Sequence, residues 1–376
     1  MTTHSETYQP LLERVCNETI GPAAPEVDAS GNFPARSINA LKKAGLMGAI
    51  SATAVGGLAL GFAGGAEIVR RVAQECGSTA MVLCMHYCGA AVLEAHGPIE
   101  IRRAAASGDH LSTLAFSEEG SRSHFWAPVG TARAEGAKVI LDARKSWVTS
   151  ASAATAYVWS SKPLAAEGLS TLWLVPARTP GMGVSGRFDG LGLRGNDSAP
   201  VAARSVRIPA AARLGEDGKG FDIMMGIVLP MFNVLSAACA VGLMESAVGR
   251  TADHAGRVRH SDTGERLADL PTIRNYIARM RVRTDMARAL LEDTAAALAA
   301  GREDTMLRVL ESKAAAGESA DEVLGLAMRV CGGAAFRKEV GVERCFRDAR
   351  AASVMAPTTD LLYDFIGKAV CGMDLF

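Results

Sequence analysis

The sequence predicts a mainly α protein with a β-domain in its middle. An N-terminal α-helical domain spans 1–110, a β-domain 111–215, and a C-terminal four-helix bundle 216–376. Three observations predict this order. Apolar residues recur at helical spacing at both ends of the chain. Between them the texture changes to short β-rich runs parted by Gly and Pro. And 376 residues, 49% of them hydrophobic, suit two or three packed subdomains and exceed what one small core needs.

Each element has its own signal. "FPARSINALKKAGL" has a helical apolar period that ends at Gly45. "AEIVRRVAQECG" continues the pattern and stops at Gly77, and "STAMVLCMHYCGAAVLEAHG" opens on a Ser/Thr cap and closes at Gly97. The strand texture is carried by "LSTLAFSEEG", "VGTARAEGAKVILDARKSWVTSA", "AYVWSSKP", "STLWLVPA", "MGVSGRFD" and "ARSVRIPA". From "GEDGKGFDIMMGIV" onward the chain is helical again. Four periodic segments follow, beginning at "LPMFNVLSAACAVG", "LADLPTIRNYIARM", "DTMLRVLESKAAAG" and "TTDLLYDFIGKAVCG", and their short joins predict an antiparallel bundle.

Composition narrows the function. Lys+Arg and Asp+Glu are equal at 40 each, so no basic face for nucleic acid is expected. "MTTHSETYQP" has neither the charged nor the apolar region of a secretory signal, and a cytoplasmic location is expected. The Gly/Ala-rich run "GLMGAISATAVGGLALGFAGGAEIV" reads as a buried segment and not as a membrane span. The eight cysteines include no CxxC pair. Cys84 and Cys88 lie one helical turn apart without further ligands nearby, so reduced buried thiols are expected and no metal site.

Five stretches in order then resemble the acyl-CoA dehydrogenase superfamily: "DASGNFPARSINALKKAGLMG", "AFSEEGSRS", "ARKSWVTSA", "LGLRGNDSAP" with "SVRIPAAARLGEDGKGF", and "RVCGGAAFRKEVGVERCFRDAR". The resemblance covers nearly the whole chain. It implies an N-terminal helical domain, a β-barrel-like middle domain and a four-helix bundle, with FAD between the last two. It implies that Phe116, Ser117 and Ser123 lie in a loop near flavin and substrate, and that Trp147 and Thr149 lie on the strand against the flavin ring. A flavin needs a flat apolar wall and hydrogen-bond donors that tune its electronics. Trp147 suits the first role; Thr149 and Ser117 suit the second. Gly332 and Gly333 match glycines that admit the ADP part of FAD, often from a neighbouring subunit, so a homodimer or homotetramer is implied. The pyrophosphate position aligns with Arg259 or His260; Arg329 replaces a usual Gln, and Thr358 matches a Thr near FAD.

One departure bears on the chemistry. In the family a carboxylate removes the α-proton of an acyl thioester while the β-hydride passes to flavin, and hydrogen bonds polarise the carbonyl. Counted from Arg347-Asp348-Ala349, the usual glutamate position is Ala356. The alternative position on the first bundle helix is Phe232, beside Asn233 where the family has Arg. Asp360, one turn beyond Ala356, is a substitute base or a helix-start carboxylate. His86, with Tyr87, borders the implied cavity or is a core histidine. Glu118, Glu119 and His124 flank the flavin loop and read as exposed. The expected activity is α,β-dehydrogenation of an acyl-CoA or acyl-carrier-protein thioester, with an electron acceptor protein as partner. A second branch of the superfamily uses reduced FMN or FAD from a flavin reductase, and O2, in monooxygenation. The spacing from Arg350 to Pro357 and then Gly367 fits that branch.

Overall fold

The computed structural model describes residues 5–121, 124–186 and 188–375. Six helices come first: α1 (Ser5–Val15), α2 (Gly21–Ser30), α3 (Ala35–Lys43), α4 (Gly61–Glu75), α5 (Gly77–His96) and α6 (Ile99–Ser107). The amphipathic α3 stops where Gly45 takes φ +72°, the left-handed turn that residues with a Cβ adopt at a cost. Gly77, expected to close α4, instead opens α5. The cap of α5 is Cys76, whose Sγ accepts the Thr79 N–H at 3.5 Å, and not a Ser or Thr. The Gly/Ala-rich run at 45–69 forms short turns and the start of α4. Among the described residues, two helical runs, α5 and 220–257, are long and apolar enough to cross a membrane, and each buries most of that length within the fold.

Eight strands follow: β1 (Ser112–Ala115), β2 (Thr131–Glu135), β3 (Lys138–Val148), β4 (Ala156–Ser161), β5 (Thr171–Pro176), β6 (Met182–Val184), β7 (Ala199–Pro209) and β8 (Arg213–Leu214). They form two four-stranded sheets, ordered β1-β4-β5-β8 and β2-β3-β7-β6. All pairings are antiparallel except β1 with β4. Inward residues of both sheets, among them Leu141, Trp159, Trp173, Val201 and Val206, make one separate core. Trp159 lies directly opposite Trp173 in the register of β4 and β5.

The C-terminal part contains α7 (Gly220–Ile223), α8 (Leu229–Arg257), α9 (Pro271–Ala300), α10 (Thr305–Cys331), α11 (Val342–Ala349), α12 (Ala351–Val354) and α13 (Thr359–Val370). A π-helical turn at Met224–Val228 joins α7 to α8. The bundle helices α8, α9, α10 and α13 share one large core with the N-terminal helices. Gly242 permits this closeness: a Cβ there would meet the Arg70 carbonyl oxygen of α4 at 2.2 Å. Seven of the eight cysteines are buried free thiols, and Cys371 is exposed. The fold is thus the helical, β and helical-bundle arrangement that the sequence predicts.

Candidate active site

The site begins at an irregularity in β3. Its register with β7 shifts between Lys145 and Val148, and Trp147 in the bulge takes φ +56°. Such a conformation costs energy in a bulky residue and re-aims the side chain. The indole is 72% exposed, with Phe188 edge-on at 6.4 Å. Thr149, just past the strand, is buried; its hydroxyl lies 3.4 Å from that of Ser198, and its carbonyl accepts the Thr113 hydroxyl.

The loop after β1 is fastened beside this bulge. Ser146 N–H donates to the Ser117 carbonyl at 2.8 Å. Phe116 is buried, and an aromatic chain runs from it through Phe125 and Trp126 to Phe365 of α13. Beneath the loop, Lys145 and Glu118 form an ion pair at 2.9 Å. Their side chains are 0% and 4% exposed, so the expectation of an exposed Glu118 is corrected. Lys145 Nζ also donates to the Ser160 carbonyl and hydroxyl, and to the Phe116 carbonyl. Burial pulls the Lys145 pKa down to about 8 against the opposing pull of Glu118. Glu119 is exposed, as expected, and the His124 ring stacks on Trp126 at 4.8 Å. Ser123 lies outside the described residues.

The second segment to which the resemblance points lies between α12 and α13. Ala356 is half-buried and precedes Pro357, and Thr358 caps α13 by accepting the Leu361 N–H at 3.4 Å. Asp360 is exposed in the first turn of α13. Below the segment stands Lys313 of α10, buried among apolar residues. Its Nζ donates to three carbonyls, those of Ala352 at 3.2 Å, Met355 at 3.0 Å and Pro357 at 2.7 Å. The ammonium also sits 5.9 Å from the centre of the Phe232 ring. Burial lowers its pKa to about 7. Both positions at which the resemblance places a base, Ala356 and Phe232, therefore adjoin one lysine. Asn233 is buried, with its amide donating to the Val309 carbonyl at 3.3 Å.

Other expected residues fall elsewhere. His86 is a core histidine: Nδ1 accepts the Ser112 N–H and Nε2 lies 3.2 Å from the Met47 carbonyl. Both ring nitrogens are thereby spent within the fold, which corrects the catalytic expectation for His86. Burial pulls its pKa down to about 4, so the ring is neutral at pH 7. The Tyr87 hydroxyl donates to the Leu46 carbonyl. Arg259 and His260 lie in the exposed link between α8 and α9, and Arg259 donates to the Gly264 carbonyl. Arg329, near the end of α10, stacks on Tyr276 at 5.0 Å. Gly332 and Gly333 are exposed, and a Cβ at either would meet open space. Gly332 lies nineteen residues along the chain from Lys313, roughly 28 Å at helical rise, and Gly333 follows it. One chain thus brings Phe116, Ser117, Trp147 and Thr149 together, and holds Gly332, Gly333 and Arg329 far from the Ala356 segment.

Sequence reasoning missed Lys313. Its signal was present, because Lys313 falls in helical register with the buried Val309, Ala316 and Ala320. A lysine on a buried stripe needs partners, and those partners are backbone atoms that no residue pattern displays.

The comparisons with known proteins agree with this architecture. The N-terminal, middle and C-terminal domains of acyl-CoA dehydrogenase match residues 2–107, 113–206 and 218–371. The mitochondrial short-chain specific acyl-CoA dehydrogenase of Homo sapiens is 30% identical over 369 residues, covering 95% of this chain and 88% of that protein. The butyryl-CoA dehydrogenase structure from Megasphaera elsdenii superposes with a TM-score of 0.92 at 21% identity, covering 99% of each chain. The structure of PigA with FAD and proline gives 0.89 at 20% identity, covering 99% of this chain and 98% of that one. The chain belongs to the acyl-CoA dehydrogenase family, enzymes that are oxidoreductases of CH–CH bonds.

Proposed function

We propose that this protein is a FAD-dependent dehydrogenase of an acyl thioester, carried on CoA or a carrier protein, in which the usual glutamate is replaced by Ala356. The observation that carries the reading is two prepared surfaces, linked through the aromatic chain from Phe116 to Phe365 of α13. One is the Trp147 bulge with Ser117 and Thr149 beside it; the other is the Ala356 segment, held from beneath by Lys313. The residues suit a flavin. Trp147 keeps a large apolar ring 72% exposed on a strained backbone, which is costly unless a flat partner covers it. Phe116, Ser117, Trp147 and Thr149 would hold the ring, and Thr358 would stand near it. The structure of PigA, in the same fold, holds FAD. FAD, when bound, supplies the acceptor for the β-hydride.

The chain supplies the remaining parts. The Ala356 N–H donates to the thioester carbonyl and so acidifies the α-carbon. Alanine takes no proton, and His86 and Glu118 are committed to the core and to Lys145. We assign the proton to Asp360, in the first turn of α13 and about one turn beyond Ala356. Gly332, Gly333 and Arg329, remote from the ring surface of their own chain, serve the adenine end of a FAD in a second copy, so the working form is a homo-oligomer. Arg259 belongs to the same nucleotide end. An electron-acceptor protein reoxidises the enzyme, in the cytoplasm.

The test is anaerobic absorbance of the FAD-loaded protein mixed with a panel of acyl thioesters. Loss of the oxidised-flavin band is expected with one of them. No bleaching, with oxygen uptake only when a reductase supplies reduced FMN or FAD, would replace this reading with monooxygenation. The missing carboxylate at Ala356 and Phe232 is the observation that favours that second reading.

A further inference from the structure

We propose that Lys313 is a positioning residue for the substrate carbonyl: its ammonium holds and polarises the Met355–Ala356 peptide, whose N–H is the donor to the thioester. The inference rests on the reading above. A peptide unit joins the carbonyl of one residue to the N–H of the next. The Met355 carbonyl and the Ala356 N–H are therefore two ends of one amide. Lys313 Nζ lies 3.0 Å from the Met355 oxygen. A cation on an amide oxygen draws electron density from the nitrogen and makes its N–H a stronger donor.

Fastening the segment does not by itself call for a charge. A neutral amide side chain would offer two donors to such carbonyls without the cost of burying an ammonium. Lys313 has no acidic partner among the described residues; the field of the Cys84 thiol is the other ionisable influence on it. All three of its protons go to carbonyls, those of Ala352, Met355 and Pro357. These bracket Ala356 on both sides, so the ammonium fixes the direction of the Ala356 N–H as well as its strength. The Phe232 ring lies 5.9 Å away, on the side where an alternative carboxylate would stand. A carboxylate there would neutralise the charge; an aromatic ring leaves it directed at the peptide.

The test compares the FAD-loaded wild type with Lys313→Met and Lys313→Gln. The probe is an acyl-CoA with sulfur at the β-position, which binds but cannot lose hydride, 13C-labelled at its carbonyl. Isotope-edited infrared spectra read the carbonyl stretch, and anaerobic stopped flow with the unmodified acyl-CoA reads flavin reduction. We expect the wild type to lower the stretch on binding, and both variants to lose most of that shift. Flavin reduction falls roughly tenfold, less than removal of the donor itself would cost, and probe affinity changes less than the rate. Lys313→Gln keeps neutral donors for the segment and decides the matter if the Met variant does not fold. A folded variant with the full shift and the parental rate would overturn the role of Lys313 while leaving the dehydrogenase reading intact. A wild type that neither bleaches nor shifts the carbonyl would overturn both.

Discussion

Replacing Glu118 by Gln should be among the most damaging conservative changes in the β-domain. Both carboxylate oxygens are in use. Oε1 pairs with Lys145 Nζ at 2.9 Å and accepts the Gly130 N–H at 3.1 Å; Oε2 accepts the N–H groups of Val129 and Gly130. Glutamine has a single acceptor oxygen. If it faces Lys145, its NH2 meets the backbone N–H groups; if it faces them, its NH2 meets the ammonium. Either way two donors oppose each other in a buried site. Breaking a buried ion pair from one side costs about 3–5 kcal/mol, and an unpaired buried N–H about 1–3 kcal/mol. Because burial already brings Lys145 down to about 8, the lysine can shed its proton and limit the sum. We expect a net loss of about 4 kcal/mol at pH 7. Urea unfolding of the variant, of Lys145→Met and of the double variant closes the cycle, with a coupling of at least about 1.5 kcal/mol expected. The Glu118 loop carries Phe116 and Ser117, so flavin retention should fall with stability. A Gln variant within about 0.5 kcal/mol of the parent would refute the reasoning, because the pair would then not be desolvated.

Three further outcomes follow from the same geometry. Trp147→Ala should weaken FAD retention on gel filtration with little change in melting temperature, since the ring is mostly exposed; unchanged retention would mean that the bulge does not face flavin. Asp360→Asn should abolish anaerobic bleaching while the protein still binds thioester, and parental reduction kinetics would remove Asp360 as the base. His86 and His110 are both pulled from 6.5 to about 4, chiefly by burial. The unfolded chain binds their protons first, so the stability due to the neutral rings is complete above pH 6.5 and is lost as pH falls toward 4. The loss should reach about 3 kcal/mol for each ring; a urea midpoint constant between pH 7 and pH 4.5 would contradict this.

The fold was legible because its signals are local. Helical periodicity marks α3, α8, α9 and α10, and the Gly/Pro-parted β texture marks the middle domain. Ordered short motifs then carried the resemblance. What stayed hidden was pairing over distance. Glu118 reads as exposed because "SEEG" is a polar turn, yet Lys145, 27 positions on, draws it inward. His86 sits on an apolar helix and shows nothing in sequence of the Met47 carbonyl or the Ser112 N–H that occupy its ring. Lys313 serves carbonyls about forty positions away, and backbone acceptors are the same whatever residue carries them. Ala356 was placed in the candidate site by the resemblance, counted from Arg347-Asp348-Ala349.

Oxidation of an acyl thioester without a glutamate at position 356 sets the proposed chemistry of this chain apart. Its most direct test is a single anaerobic turnover of the FAD-loaded protein with a thioester that bleaches it, followed by mass analysis of the acyl product. We expect an enoyl thioester lacking two hydrogens, formed in the same amount as flavin is reduced. A product that forms only with oxygen and a reductase, and that has gained an oxygen atom, would contradict it.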